Sequence, residues 1–300
     1  VIIQASRGAL KYSDLVYLKH LIQAATEKYP HNKIAMHLDH GNSLETVKLA
    51  IGLGFTSVMI DASLMEDGKT VASYEYNVKT TREVVEYAHQ FGVTVEAELG
   101  TLGGIEDGVG SGEVHLTDPA QAEEFVALTG CDALAVAIGT SHGAYKSLNR
   151  DKNGKVLPPT LAMDIIKQIH ARMPNTHMVM HGSSSVPPEW VAEVNKYGGK
   201  MKEAYGIPME QIQEGIRHGV RKVNIDTDGR IVFTASIRKV FWEHPDRFDP
   251  RDYLKPAREA LQKMIEQKMR DLGQAGRSDD YKPASLEDLK TLYEQQAVRA

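Results

Sequence analysis

The stretch Ile34-Ala35-Met36-His37-Leu38-Asp39-His40-Gly41-Asn42 sets the reading of the whole chain. A short apolar run passes into a cluster of histidine and aspartate, then glycine, then a helix start. That is the pattern of a parallel strand delivering polar groups to its C-terminal end, the end at which eight-stranded α/β barrels carry their sites. Asn42-Ser43-Leu44-Glu45 reads as a capping box opening the next helix. Neighbouring residues of a regular strand point to opposite faces. Asp39 and His40 therefore share a site only where strand geometry has ended, and Gly41 gives the backbone room for that.

Working outward, residues 1–5, 56–60, 93–98, 133–138, 177–181 and 220–225 repeat the short apolar run of 34–37, rich in β-branched residues. Helical patterns separate them, at 13–27, 44–51, 75–89, 119–128, 161–172, 189–196 and 210–218. Asp118-Pro119 is a clear start signal, with Asp as cap and Pro at the first helical position. Strict alternation of strand and helix predicts a parallel sheet covered by helices. Polar residues at one strand end after another favour a closed (β/α)8 TIM barrel over an open doubly wound sheet. Such a barrel has eight strands and seven runs are visible, so a first strand and helix are expected before Val1. The expectation is a single domain over residues 1–300, N-terminally incomplete, with a helical extension from about 230 to 300. Helices are predicted there at 230–242, 256–272 and 286–296. The glycine-rich stretch 100–115 is expected to form a mobile loop over the strand ends, and 197–208 a surface connection.

Composition narrows the function classes. Of the 300 residues, 42% are hydrophobic and 25% charged, as in ordinary globular proteins, and the net charge of −5 gives no field to attract nucleic acid or anionic lipid. An anionic ligand must be held by local groups. No apolar run approaches the roughly 20 residues of a membrane span. The one cysteine, Cys131, excludes an internal disulfide and a cysteine zinc motif, which suits the cytoplasm.

Histidines end three of the strands: His40, His142 in Gly139-Thr140-Ser141-His142-Gly143, and His181 in Met180-His181-Gly182-Ser183-Ser184-Ser185. Three neutral imidazoles with a fourth position open are the donor set of a catalytic zinc. Each alone could equally cap a hydrogen-bond network; three on strands that a barrel gathers favour a metal. His37, His115, His177 and His218 lack this context and read as structural. Asp61 and Glu98 end two further strands. They could bind a second metal, orient the imidazoles, or serve as cap and ion-pair residues. Ser183-Ser184-Ser185 and Asn224-Ile225-Asp226-Thr227-Asp228-Gly229 fall on the last two strand ends, where barrels commonly hold phosphate on backbone amides. Carboxylates repel phosphate, so Asp226 is assigned to a hydroxyl or cation and the phosphate to amides, Ser183 and Thr227. Lys222 alternates with Asn224 and points inward. It could form a Schiff base with a ketose or, as preferred here, pair with an interior carboxylate.

Taken together these segments resemble the class II, zinc-dependent fructose-1,6-bisphosphate aldolases. The resemblance spans nearly the whole chain and rests on Gln4-Ala5-Ser6-Arg7-Gly8, His37-Leu38-Asp39-His40-Gly41, Ser57-Val58-Met59-Ile60-Asp61, Glu96-Ala97-Glu98-Leu99-Gly100, Gly103-Gly104-Ile105-Glu106-Asp107-Gly108, Gly139-Thr140-Ser141-His142-Gly143, His181-Gly182-Ser183-Ser184 and Asn224-Ile225-Asp226-Thr227-Asp228. It implies a lyase that reversibly cleaves fructose 1,6-bisphosphate into dihydroxyacetone phosphate and glyceraldehyde 3-phosphate, in glycolysis, gluconeogenesis or the Calvin cycle. It implies catalytic zinc on His40, His142 and His181, and a second divalent metal at Asp61 and Glu98. Asp39 matches the residue exchanging a proton with the aldehyde oxygen, and Glu106 the one exchanging the carbon proton of dihydroxyacetone phosphate. Ser6, Gly143, Gly182, Ser183, Ser184, Asn224, Ile225, Asp226 and Thr227 match substrate positions, with Gly143 and Gly182 also near a monovalent cation (Na+ or K+). Arg251 resembles an arginine that reaches phosphate in a neighbouring subunit, which implies a homodimer or homotetramer. The alternatives are a tagatose- or sedoheptulose-bisphosphate aldolase, a Schiff-base aldolase through Lys222, and a zinc hydrolase. The hydrolase would call for His-x-His on one strand, a pattern that does not occur in the sequence.

Overall fold

The structure is a computed structural model and describes residues 1–104, 110, 114–145, 151–154, 157–280 and 282–297. In chain order the elements are β1 (Ile2–Ser6), α1 (Arg7–Ser13), α2 (Leu15–Lys28), β2 (Ala35–Gly41), α3 (Leu44–Gly52), β3 (Ser57–Ile60), α4 (Tyr74–His89), β4 (Thr94–Leu99) and α5 (Pro119–Thr129). They continue with β5 (Ala133–Val136), α6 (Met163–Arg172), β6 (His177–Met180), α7 (Pro188–Lys196), α8 (Met209–Arg217), β7 (Val220–Val223), α9 (Thr227–Glu243), α10 (Pro250–Asp271) and α11 (Leu286–Ala297).

All seven strands pair in parallel in the order β1-β2-β3-β4-β5-β6-β7. Contacts across the sheet show that it curls. In a flat sheet β2 and β6 would stand about 19 Å apart, at ~4.8 Å per strand. Yet His181 Nδ1, just past β6, lies 3.1 Å from His40 Nε2 on β2. Lys222 on β7 likewise reaches Glu96 on β4 at 2.9 Å. The fold is therefore an α/β sheet of TIM-barrel type, with one face turned in on itself.

Strand alternation partitions the side chains. Leu38, Val58, Val95, Ala97, Leu134, Met178 and Met180 face the helices, against Val47, Val84, Phe125, Ile166 and Ile212 in the main core. The opposite face holds a small apolar group, Met59, Ala135 and Val179, beside the buried polar residues His37 and Glu96. The barrel interior is thus partly ionic.

Asp118 caps α5 as predicted, its Oδ1 accepting from Ala120 N and Gln121 N at 2.9 and 2.8 Å. The start of α3 differs from the expected box. Ser43 is the cap, accepting from Thr46 N, while Glu45 pairs with Lys48 at 2.7 Å instead of reaching back. α1 was not foreseen; the Ser6 hydroxyl accepts from Ala9 N and starts a helix directly on the strand end. α10 begins at Pro250, not at 256, because Asp249 caps it and Pro250 takes the first position, so Pro256 lies inside the helix. The connection 197–208 is not purely superficial. Ala204 and Ile207 are buried, and Gly206 N and Ile207 N donate to the carbonyls of Ser185 and Ser184.

Candidate metal centre and active site

The site begins with a fault in β2. Its register against β3 shifts between Leu38 and Gly41, and His40 takes φ +47°, the left-handed region that non-glycine residues seldom enter. Gly41 is packed so closely that a Cβ there would lie 2.5 Å from the Met59 carbonyl oxygen. The shift turns consecutive residues into one basin. Asp39 accepts from Asn224 Nδ2 at 3.3 Å and from Gln4 Nε2 at 3.4 Å, while His40 meets His181.

Three imidazoles converge there. His40, His142 and His181 each offer a ring nitrogen within 4.8 Å of the others. The ring of His40 stands 4.9 Å from that of His142 and 4.8 Å from that of His181, edge to face in both cases. The strands supply the three residues differently. His40 sits on the faulted end of β2, His181 follows the last residue of β6, and His142 lies on the loop beyond β5, anchored by its amide to Gly103 O at 2.8 Å.

Two imidazoles are held from behind by carboxylates. His40 Nδ1 is 3.0 Å from Asp61 Oδ2, and Ser63 Oγ donates to Asp61 Oδ1 at 2.6 Å. His181 Nε2 is 2.7 Å from Glu96 Oε1. Each carboxylate engages the outer nitrogen of its ring, so that His40 Nε2 and His181 Nδ1 face one another at 3.1 Å. Glu98, His40 and Asp61 form a second set able to hold an ion. A cavity of about 10 Å³, bordered by His40, Asp61, Ser63, Glu98 and His142, suits a single monatomic ion or water.

The charges of this basin are strongly coupled. Burial opposes a charge on His40, but Asp39 and Asp61 outweigh it and raise the imidazole to about 10. Burial lowers His181, against the pull of Glu96. Glu98 is held well above the usual carboxylate range by burial and by the nearby Asp61. Burial also acts to raise Asp39 and Glu96, yet both end below their ordinary values. The charge of His40 decides this for Asp39, and that of Lys222 for Glu96. A cation placed among these groups would relieve the burial cost of several carboxylates at once.

The phosphate-loop residues gather beside this centre. Asn224 Nδ2 lies 3.1 Å from His181 Nδ1, and Asn224 O accepts from Ser183 N at 3.2 Å. Ser184 Oγ accepts from Asp226 N at 3.2 Å, and buried Thr227 opens α9. Ile225 is half-buried between them. Asp226 pairs with Arg230 at 2.7 Å, whereas Asp228 is fully buried. Gly182 has φ +60°, and a Cβ there would come within 2.5 Å of Ser141 O; Gly143 has φ +77°. Ser6 serves as the α1 cap, and exposed Arg251 pairs with its neighbour Asp249. Lys222 is bound to Glu96, the ion-pair alternative of the two weighed for it. Glu106 lies outside the described residues. The ends of its loop are pinned, since Thr101 pairs with His115 and Gly103 with Ser141.

Glu96 is the functional candidate that sequence reasoning passed over. It ties His181 to Lys222 at 2.9 Å and to His37 Nε2 at 3.5 Å. The signal was present in the Glu96-Ala97-Glu98 alternation, which places both carboxylates on one face of β4.

Known proteins share this arrangement of sequence and fold. Residues 1–277 match the family described as fructose-bisphosphate aldolase class-II. A fructose-bisphosphate aldolase of Giardia intestinalis is 54% identical over 98% of this chain and 86% of its own length. One of Nostoc commune is 52% identical over 98% of this chain and 84% of its own. Among solved structures, the YdjI aldolase of Escherichia coli K12 superposes with a TM-score of 0.70 at 27% identity, covering 93% of this chain and 84% of that one. The chain is a lyase by this kinship, and it belongs to the class-II fructose-bisphosphate aldolase family.

Proposed function

We propose that the chain works as a zinc-dependent aldolase on fructose 1,6-bisphosphate, with His40, His142 and His181 as the zinc ligands and Asp39 as the acid–base residue. One observation carries the reading: three imidazole nitrogens converge within 4.8 Å, beside an aspartate that shares their basin. The donor set fits the metal, because two of the rings have carboxylates behind them that engage the outer nitrogen and turn the other toward the shared centre. When bound, zinc would supply a Lewis acid that stabilises the negative charge left when the carbon–carbon bond breaks.

The rest of the chemistry falls to the chain. Cleavage between C3 and C4 removes the C4 hydroxyl proton, and Asp39 accepts it; in condensation Asp39 returns it. Positive charge at His40, the place a bound cation would take over, holds its carboxylate below the ordinary value against the effect of burial, and Gln4 and Asn224 donate to its two oxygens. General acid–base help of this kind contributes about 10²- to 10⁴-fold. Glu106 is assigned the proton at C3, and its glycine-rich loop the exclusion of water. Gly182, Ser183, Ser184, Asn224, Ile225, Asp226 and Thr227 are assigned to one substrate phosphate and the hydroxyls next to it, with Ser6 nearby. Gly143 and Gly182 are the proposed place of a monovalent cation. Asp61 and Glu98 are proposed for a second divalent ion. Arg251, exposed at the head of α10, is assigned to the second phosphate in a neighbouring copy of a homodimer or homotetramer.

Fructose bisphosphate is favoured over the tagatose and sedoheptulose analogues because several relatives are named for it. The proposed setting is glycolysis, gluconeogenesis or the Calvin cycle, in the cytoplasm. No helix among the described residues is long and apolar enough to cross a membrane. The test is Asp39→Ala in the zinc-loaded protein. Metal content and dihydroxyacetone phosphate binding should persist while turnover falls by about 10²-fold or more. If zinc content drops instead, Asp39 is a ligand and the assignment fails. Activity that survives exhaustive chelation and is trapped by borohydride would move the reaction to Lys222.

A further inference from the structure

The loop after β6 is braced from an unexpected quarter. Asp228, in the first turn of α9, is fully buried and spends both oxygens on the loop. Oδ1 accepts from Val186 N at 2.7 Å and Oδ2 from Ser185 N at 3.0 Å. Its charge is met by Lys268 of α10, whose Nζ stands 2.9 Å from Asp228 Oδ2 and donates to Ser185 Oγ at 2.9 Å. Lys268 thus closes a ring of Asp228, the Ser185 amide and the Ser185 hydroxyl.

The ring holds a backbone that would otherwise relax. Val186 sits at φ +46°, a conformation that is costly for a β-branched residue. The same loop is pressed from the other side by Gly206, where a Cβ would lie 2.1 Å from the Ser184 carbonyl oxygen. The amide of Ser183 and the hydroxyl of Ser184 are tied to 224 and 226 in turn. Charged side chains reach this loop through Asp228, which holds two of its amides, and through Lys268, which meets both Asp228 and the Ser185 hydroxyl.

We propose that Lys268 is a positioning residue for substrate binding: through Asp228 and Ser185 it fixes the Ser183–Val186 loop in the shape that receives a phosphate. This rests on the assignment of that loop to phosphate made above. Without the ammonium, Asp228 is a buried carboxylate lacking its counter-ion, and the two amides it holds are released with it. The loop then loses its preset shape, and binding must pay for ordering it.

The experiment compares Lys268→Met, Lys268→Gln, Lys268→Arg and Thr227→Val in the metal-loaded full chain, with inorganic phosphate as probe. Measured quantities are kcat, KM for the bisphosphate, the competitive inhibition constant of phosphate, and the visible spectrum of the cobalt-substituted protein. Lys268→Met and Lys268→Gln should raise KM and the phosphate constant about tenfold, the loss of one charged hydrogen-bonding group. Their kcat should fall less than about threefold, and the cobalt spectrum should not change. Lys268→Arg should recover most of the loss. Lys268→Gln keeps a donor to Ser185 without charge, so it gives the answer should Lys268→Met fail to fold. Lower thermal stability with unaltered KM and phosphate constant would overturn the proposal and leave Lys268 a structural ion pair. Thr227→Val separates the two ideas. If it too leaves phosphate inhibition as it was, the phosphate assignment falls, and the Lys268 proposal with it. If Thr227→Val weakens phosphate and the Lys268 variants do not, only the Lys268 proposal is lost.

Discussion

Replacing Glu96 by Gln tests the ionic interior of the barrel. Glu96 is 3% exposed and serves three partners: His181 Nε2 at 2.7 Å, Lys222 Nζ at 2.9 Å and His37 Nε2 at 3.5 Å. Glutamine keeps the shape, and its oxygen can still accept from His181. Its amide group, however, then points donors at the Lys222 ammonium, and that buried cation loses its counter-charge. Breaking a buried ion pair from one side costs about 3–5 kcal/mol. Weakening the carboxylate behind a ligating imidazole costs about 10- to 100-fold in metal affinity. Lys222→Met strips the other partner and should cost a comparable amount of stability, while leaving the His181 contact in place. The double variant buries neither charge, so its loss should be smaller than the sum of the single losses, by about 0.5–3 kcal/mol. Urea unfolding of the chelated proteins measures the stabilities, and competition with a chromophoric chelator measures zinc affinity. Additive losses, together with zinc affinity for Glu96→Gln within twofold of wild type, would refute the reasoning, because Glu96 would then neither balance Lys222 nor hold His181.

Two further outcomes follow from buried groups. Burial, and next the charge of Lys222, hold His37 down at about 3, below the ordinary imidazole value in the unfolded chain. The unfolded state therefore takes up the proton first as pH falls. Stability from this group is complete above about pH 6.5 and declines by about 1.4 kcal/mol per unit towards pH 3. The chelated His37→Gln protein should show a correspondingly shallower loss of urea stability between pH 6.5 and 4.5; an equal slope would place the effect elsewhere. Burial pushes the Cys131 thiol up to about 12, so iodoacetamide at pH 8 should leave the native chain unmodified and label it once in guanidinium. Labelling of the native protein would contradict the burial.

Much of this architecture was written in local pattern. The seven apolar runs became the seven strands, because period and turn chemistry act over short distances and survive translation into structure. The three histidines could be grouped because each was expected at a strand end; His40 and His181 are there, while His142 lies on the loop beyond β5, and the curled sheet brings all three together. What stayed hidden depended on partners far apart in sequence. Glu96 reads as an ordinary strand residue until Lys222 and His181 arrive beside it from β7 and β6. Lys268 reads as one more charge on a polar helix until α10 lies across the loop. α10 starts at Pro250 and not at 256, because Asp249 caps it with Pro250 at the first position and the helix runs on through Pro256.

The sharpest case is the pair Asp39 and His40, where the sequence posed the question and only the backbone could answer it. Alternation forbids two neighbours from one face, and the register shift before Gly41 lifts that prohibition. Gly41 is then essential for space. Its Cβ would sit 2.5 Å from Met59 O and 3.0 Å from Leu38 Cδ2, on the seam where Asp61 N donates to Gly41 O at 2.8 Å. Gly41→Ala must push β2 away from β3, carrying His40 away from His142, His181 and Asp61. Overpacking of this kind costs about 1–3 kcal/mol of stability, but misplacement by about 1 Å can cost on the order of 100-fold in rate. Zinc affinity and kcat should therefore fall far more than the unfolding midpoint suggests. Gly52→Ala is the control, since it ends α3 with nothing within 4 Å of the added methyl and should be neutral or mildly stabilising. A Gly41→Ala protein that binds zinc and turns over like its parent would mean that the fault in β2 is incidental, and that Asp39 and His40 come together by some other route.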